Sequence, residues 1–253
     1  TNPNMPRKIQ RKKNGIETAE GVRGAIINKS VLIVSLFHVV FVGLRAVFTT
    51  WDVLPEVAEE FKLTSDDDRR ADLGAFQVTC FLFYIFAGVS GGRAYYSPGW
   101  TAKNDYDKLY GRDDVAERLS TVGFSFMVWN FLVSLGIDEH SSAIMLVHHL
   151  LGGLVCWLSV KYQYLLHYSH FFLGVTEISS IFLVLVDFAR FFPIGPRSSL
   201  AYSIAVEVSK PCFAFTFLWF RCVLWVKNSK DFWRAAGKAR REGTDVKYRE
   251  GLG

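Results

Sequence analysis

The fold class this sequence predicts is an all-helical, polytopic transmembrane bundle of about six spans, and three observations lead to it. Half of the 253 residues are apolar and 15% are aromatic, and they come in long runs rather than at the amphipathic spacing of a soluble domain. The runs are long enough to cross ~30 Å of hydrocarbon, which takes about 20 helical residues. Mean hydropathy is positive in spite of strongly polar ends, so the charge is concentrated between and outside the runs.

The organisation is a basic tail at 1–30, a bundle at 31–226 and a second basic tail at 227–253. The first span runs from Val31 to Thr50 and is closed by Trp51 at the interface, with His38 and Arg45 on one inward face. Trp51 to Asp72 is acidic and reads as an exposed loop with a short amphipathic helix, for which Thr64-Ser65-Asp66 supplies N-cap chemistry. The second span, Leu73 to Tyr96, ends in an aromatic belt of Tyr95, Tyr96 and Trp100. Its Gly88, Gly91 and Gly92 permit close helix contact.

A polar connection carrying Asp105, Asp107, Asp113 and Asp114 leads to the third span, Leu119 to Ile137. The fourth begins at Ser141, after the turn Asp138-Glu139-His140, and ends near Lys161. The next stretch, Tyr162 to Phe192, would reach ~46 Å as one helix. That is too long for an upright crossing, so a broken or strongly tilted helix is predicted, with Gly174 as the break. Pro193 and Pro196 stop it. The last span, Ser199 to Val226, places Glu207, Lys210 and Arg221 on one face, and Pro211 should kink it. Trp233 anchors the tail beyond it at the interface.

Six spans put both termini on one side. Twenty Lys and Arg then fall in the tails and loops of that side, against four (Lys62, Arg69, Arg70 and Arg197) on the other. This bias places the termini on the cytosolic or matrix-like side. It also accounts for the formal charge of +5 without nucleic acid, because the basic residues flank spans where lipid headgroups lie. Cys80, Cys156, Cys212 and Cys222 each fall inside an apolar run, with no metal-ligand spacing around them. No phosphate-binding loop, dinucleotide fingerprint or serine-hydrolase elbow is present.

Candidate functional residues are the polar groups that an apolar helix should not carry. A charged side chain at mid-membrane opposes insertion by about 2.5–3.5 kcal/mol, so it faces a bundle interior, a cavity or a partner. His148 and His149 in the fourth span, and Glu177, Ser179 and Ser180 in the fifth, form the candidate lipid-binding or buried polar cluster. A histidine oriented by Glu177 is the minimum machinery for acyl transfer. The alternative is that the histidines hydrogen-bond to a neighbouring helix while Glu177, Ser179 and Ser180 lock the bundle. If the fourth and fifth spans are neighbours, one histidine should come within reach of Glu177, Ser179 or Ser180. Asp187 with Arg190, and Glu207 with Lys210, read as i, i+3 ion pairs without chemistry.

Three segments, IMLVHHLLGG, GVTEISSIFLVLVDFARFF and FLWFRCVLWVK, resemble the TLC-domain membrane proteins, and the likeness covers Ala71 to Val226. That group includes ceramide synthases together with translocon-associated and lipid-regulating members. The resemblance implies six helices around a lipid-accessible cavity. In ceramide synthases the histidine pair works with a His-Asp element and a further aspartate. Here His148 and His149 are kept, but GVTEISS stands where that element is expected, which looks like the non-synthase branch.

The sequence therefore points to a non-catalytic lipid-binding scaffold, or an accessory subunit of a larger membrane assembly. A free regulator of lipid composition and an acyl-CoA-dependent acyltransferase are the alternatives. No catalytic residue, metal or cofactor is assigned, apart from a bound structural phospholipid or other lipid. Membrane lipids and other membrane subunits are the expected partners. A chain starting at Thr1 fits presequence removal, hence the mitochondrial inner membrane, with the endoplasmic reticulum as alternative.

Overall fold

Among the described residues, six helical segments alternate between two ends of the molecule, and side-chain contacts fix the alternation. The computed structural model describes residues 7–50, 67–101, 103–192 and 200–243. Trp51, the capping sequence Thr64-Ser65-Asp66, Pro193 and Pro196 lie outside the described residues.

Helix α1 (Arg7–Thr50) continues the first span back through most of the basic tail. Arg45, near its end, pairs with Asp72 at the start of α2 (Asp67–Tyr95), so the two run antiparallel. Two short helices follow, α3 (Pro98–Thr101) and α4 (Asp105–Tyr110). Asp113 then caps α5 (Asp114–Ser134), its carboxylate accepting the Ala116 N–H at 3.1 Å; this satisfies one of the unpaired donors of a helix start. The turn after α5 brings His140 against Phe76 of α2, with ring centroids 4.4 Å apart. Ser142 caps α6 (Ala143–Tyr162), which returns to the opposite end.

The stretch that is too long for one crossing breaks near its start. Gln163 and Leu165 are left-handed, with φ of 49° and 66°, a conformation non-glycine residues rarely adopt. They turn the chain into α7 (Leu166–His170). A π-helical turn, Phe171–Val175, follows and contains Gly174, but the helical run Leu166–Phe191 continues through it, so the break expected at Gly174 lies instead at Gln163–Leu165. Beyond the π-helical turn, α8 (Glu177–Phe191) runs back to the end where Phe192 stacks on Phe48, 6.3 Å between centroids. Gly174 has a packing reason to be glycine. A Cβ placed on Gly91 would lie 2.4 Å from the Gly174 Cα and 2.5 Å from the His170 carbonyl oxygen, so the two backbones touch where both residues lack side chains.

The last crossing begins with α9 (Leu200–Thr216), tied to the previous one by the Tyr202 hydroxyl donating to the Phe192 carbonyl at 2.9 Å. It passes through a second π-helical stretch, Phe217–Leu224, into α10 (Trp225–Arg241). Together they form one helical run of 42 residues, ~63 Å at 1.5 Å per residue. That is twice the hydrocarbon thickness, so α10 must leave the bilayer. The segment read as a basic tail is in this part a helix that docks, with Ala235 and Ala239 buried against Leu109 of α4 and Tyr168 of α7.

Five of these helices are long and apolar enough to cross a membrane. Helix α5 covers the same distance between the ends but buries Ser120, Thr121, Ser125, Asn130 and Ser134, which lower its hydropathy. The apolar core lies between α1, α2 and α5, where Phe83 stacks on Phe126 at 3.7 Å and Phe76 on Trp129 at 5.7 Å. Large apolar side chains of α1, α6 and α9 point outward, among them Leu32, Leu36, Ile144, Leu150 and Leu200. Outward leucines are the surface a bilayer covers.

Candidate functional site

Glu177 begins α8 directly after the π-helical turn, and Ser179 and Ser180 follow on the same side. The Ser180 hydroxyl donates to Glu177 Oε2 at 2.7 Å. Arg221, from the last crossing, closes the cluster. Its Nη2 lies 3.5 Å from Glu177 Oε2 and donates to Ser180 Oγ at 2.9 Å, while its Nε donates to Ser179 Oγ at 3.0 Å. The arrangement is a charge-neutral lock between two helices, with each polar group answered by another.

Sequence reasoning grouped Arg221 with Glu207 and Lys210. Glu207 and Lys210 do pair, but on the exposed outer face. Arg221 departs from them because Phe217–Leu224 is π-helical. Hydrogen bonds of i→i+5 type turn the chain by less than the ~100° per residue of an α-helix, so the face rotates before Arg221 is reached.

The histidine pair does not join this lock. His149 is 5% exposed, and its Nδ1 has no hydrogen-bond partner among the described residues; His148 is on the exposed side of α6. Their rings meet edge to face at 5.5 Å. No hydrogen bond links either to Glu177, Ser179 or Ser180 among the described residues. Helix packing gives the reason: α6 packs mainly on α5, whereas α8 packs on α2 and α9. The short connection between the fourth and fifth spans therefore carries the chain past its neighbour, against the usual adjacency of consecutive elements.

A second polar network, built on α7, escaped sequence reasoning. His170 Nε2 lies 3.0 Å from Asp113 Oδ2, and Lys103 Nζ donates to the same oxygen at 2.9 Å. Burial alone would raise the Asp113 pKa, but the hydrogen bonds from His170, the Ala116 N–H and Lys103 outweigh it and hold the carboxyl well below the usual range. His167, fully buried, stacks on Trp100 at 4.4 Å. Tyr168 donates to Asp231 Oδ2 at 3.0 Å, an oxygen that also receives Lys108 at 2.9 Å. The available signal was the HYSH sequence, two histidines one turn apart in an apolar run. Among the described residues no group of three or more His, Cys, Asp or Glu side chains is placed to hold a metal ion.

Residues 75–244, two-thirds of the chain, match the family model of the TLC domain, that of the TRAM, LAG1 and CLN8 proteins. The chain belongs to the TLC-domain family. No curated protein and no solved structure gives a significant match. In this TLC-domain protein the matched region takes in both polar networks, from Trp100 to Asp231, and all of α10.

Proposed function

We propose that this TLC-domain protein is a non-catalytic, lipid-binding membrane scaffold, acting as an accessory subunit of a larger assembly. The observation that carries the reading is the engagement of Glu177. An acyl transfer run by His148 or His149 needs a carboxylate or similar group to orient the imidazole. Glu177, the acid the sequence offers, is bound by Arg221 and Ser180. Support for lipid as the ligand comes from the outward apolar faces of α1, α6 and α9 and from the basic end of the bundle, where headgroups would lie. The mitochondrial inner membrane and the endoplasmic reticulum are the two locations proposed, with the termini on the matrix or cytosolic side.

The test is purification from native membrane in mild detergent, with mass spectrometry of the lipids and proteins that remain attached. Phospholipid and companion membrane proteins should copurify with wild type and with His149→Ala alike. Consumption of acyl-CoA by the wild type, abolished in His149→Ala, would replace this reading with the acyltransferase. A preparation carrying lipid but no companion protein would leave a free lipid regulator.

A further inference from the structure

At the basic end of the bundle a crevice of about 430 Å³ opens between the end of α2 and the start of α5, lined by Phe86, Ser90, Arg93, Ala94, Val115, Arg118 and Leu119. Its lining is graded by depth. Phe86 precedes Arg93 by two helical turns, or ~10 Å along the axis. Phe86 thus lies on the membrane side of Arg93, which stands near the level of Tyr95 and Tyr96, and on α5 the Arg118 side chain reaches back to the Asp114 carbonyl at the helix start.

Neither arginine has an acidic partner among the described residues. Arg93 makes no hydrogen bond or ion pair among the described residues, and Arg118 donates only from Nε, to the Asp114 carbonyl at 3.2 Å. The nearby acids are engaged elsewhere: Asp114 and Glu117 with Arg112, and Asp113 with Lys103 and His170. The crevice beside α10 differs in carrying an acid, Asp231, which pairs there with Lys108 and Arg234. Two guanidinium groups that line one crevice with apolar neighbours, and that no acid answers among the described residues, match a phosphodiester, which accepts bidentate hydrogen bonds.

We infer that this crevice seats an anionic phospholipid, its phosphate held between Arg93 and Arg118 beside Val115 and one acyl chain laid over Leu119 towards Phe86. This deepens the lipid-binding part of the proposed function and rests on it. A headgroup with no amine suits the site, because nothing in the lining would answer a second positive charge.

The experiment is native mass spectrometry of the full chain released from nanodiscs containing phosphatidylglycerol and phosphatidylcholine. Wild type should retain phosphatidylglycerol in preference to phosphatidylcholine. Arg93→Gln with Arg118→Gln should lower that occupancy at least tenfold, since charge-assisted hydrogen bonds are lost at both groups. Lys227→Gln, a charge change elsewhere at the same end, should not. Val115→Trp fills the slot without touching the charges and should also expel the lipid.

Unchanged phosphatidylglycerol retention in the double arginine variant, or in Val115→Trp, overturns the site while leaving lipid binding intact. Displacement of the lipid by millimolar glycerophosphoglycerol, the free headgroup, overturns the lipid assignment in favour of a soluble phosphate ester. A wild-type protein that retains no phospholipid overturns both this site and the reading it rests on.

Discussion

At the scale of single residues, the chemistry of the buried lock decides what a substitution does. Glu177 and Arg221 are 14% and 28% exposed, so removing one partner strands a charge that water reaches poorly. Arg221→Met should lower stability by about 3 kcal/mol, and Glu177→Met added to it should recover most of that loss, as buried pairs replaced by apolar side chains do. Thermal unfolding in detergent checks both variants. Asp113 gives a pH signature. Its folded pKa is depressed, so its contribution is fully present above the ordinary carboxylate pKa of about 4 and is lost as pH falls through the lower folded value. The stability difference between wild type and Asp113→Asn, followed from pH 7 to pH 2.5, should therefore shrink only on the acid side of pH 4. Glu177, Ser179 and Ser180 were legible in the sequence because polar groups inside an apolar run must find partners. Their partner was not. An α-helical count from Glu207 puts Arg221 on the wrong face, and nothing in FLWFRCVL announces the π-helical register that corrects it. The histidine pair shows the same limit, because neighbours ~100° apart on a helix cannot both face inward.

At the scale of elements, lengths were readable and neighbours were not. The run from Tyr162 to Phe192 was too long to be one upright helix, but the helix passes through Gly174 with a π-helical turn and no break. The break falls at Gln163–Leu165, which lacks any glycine or proline, so composition could not mark it. That break takes α8 away from α6 and separates His149 from Glu177. The Gly91–Gly174 contact makes a matching prediction. Gly91→Ala would drive a Cβ into two backbone segments that cannot move aside like a flexible side chain, and should destabilise by ~3 kcal/mol as overpacking does. Gly43→Ala meets nothing within 4 Å and should be neutral or gain up to ~1 kcal/mol from helix propensity. The pair of midpoint temperatures separates a packing requirement from a general effect of glycine.

At the scale of the whole molecule, the alternation of six segments places the Asp138-Glu139-His140 turn at one end and Lys103, Asp113 and α10 at the other. The sequence reached the same division through the bias of basic residues, since charge beside spans reports sidedness however the helices pack. Lys103→Cys and Asp138→Cys should therefore react with an impermeant maleimide from opposite faces of sealed vesicles, in a background lacking the exposed Cys222. The 42-residue run from Leu200 to Arg241 has a mechanical meaning beyond anchoring. Its outer third lies on the surface, clamped through Asp231 to Lys108 and Tyr168, and its inner part carries Arg221 through a stretch wound more loosely than an α-helix. Such a rod acts as a crankshaft. Tightening Phe217–Leu224 to α-helical pitch would swing the Arg221 guanidinium off Glu177, so the winding of this stretch sets whether the lock is closed.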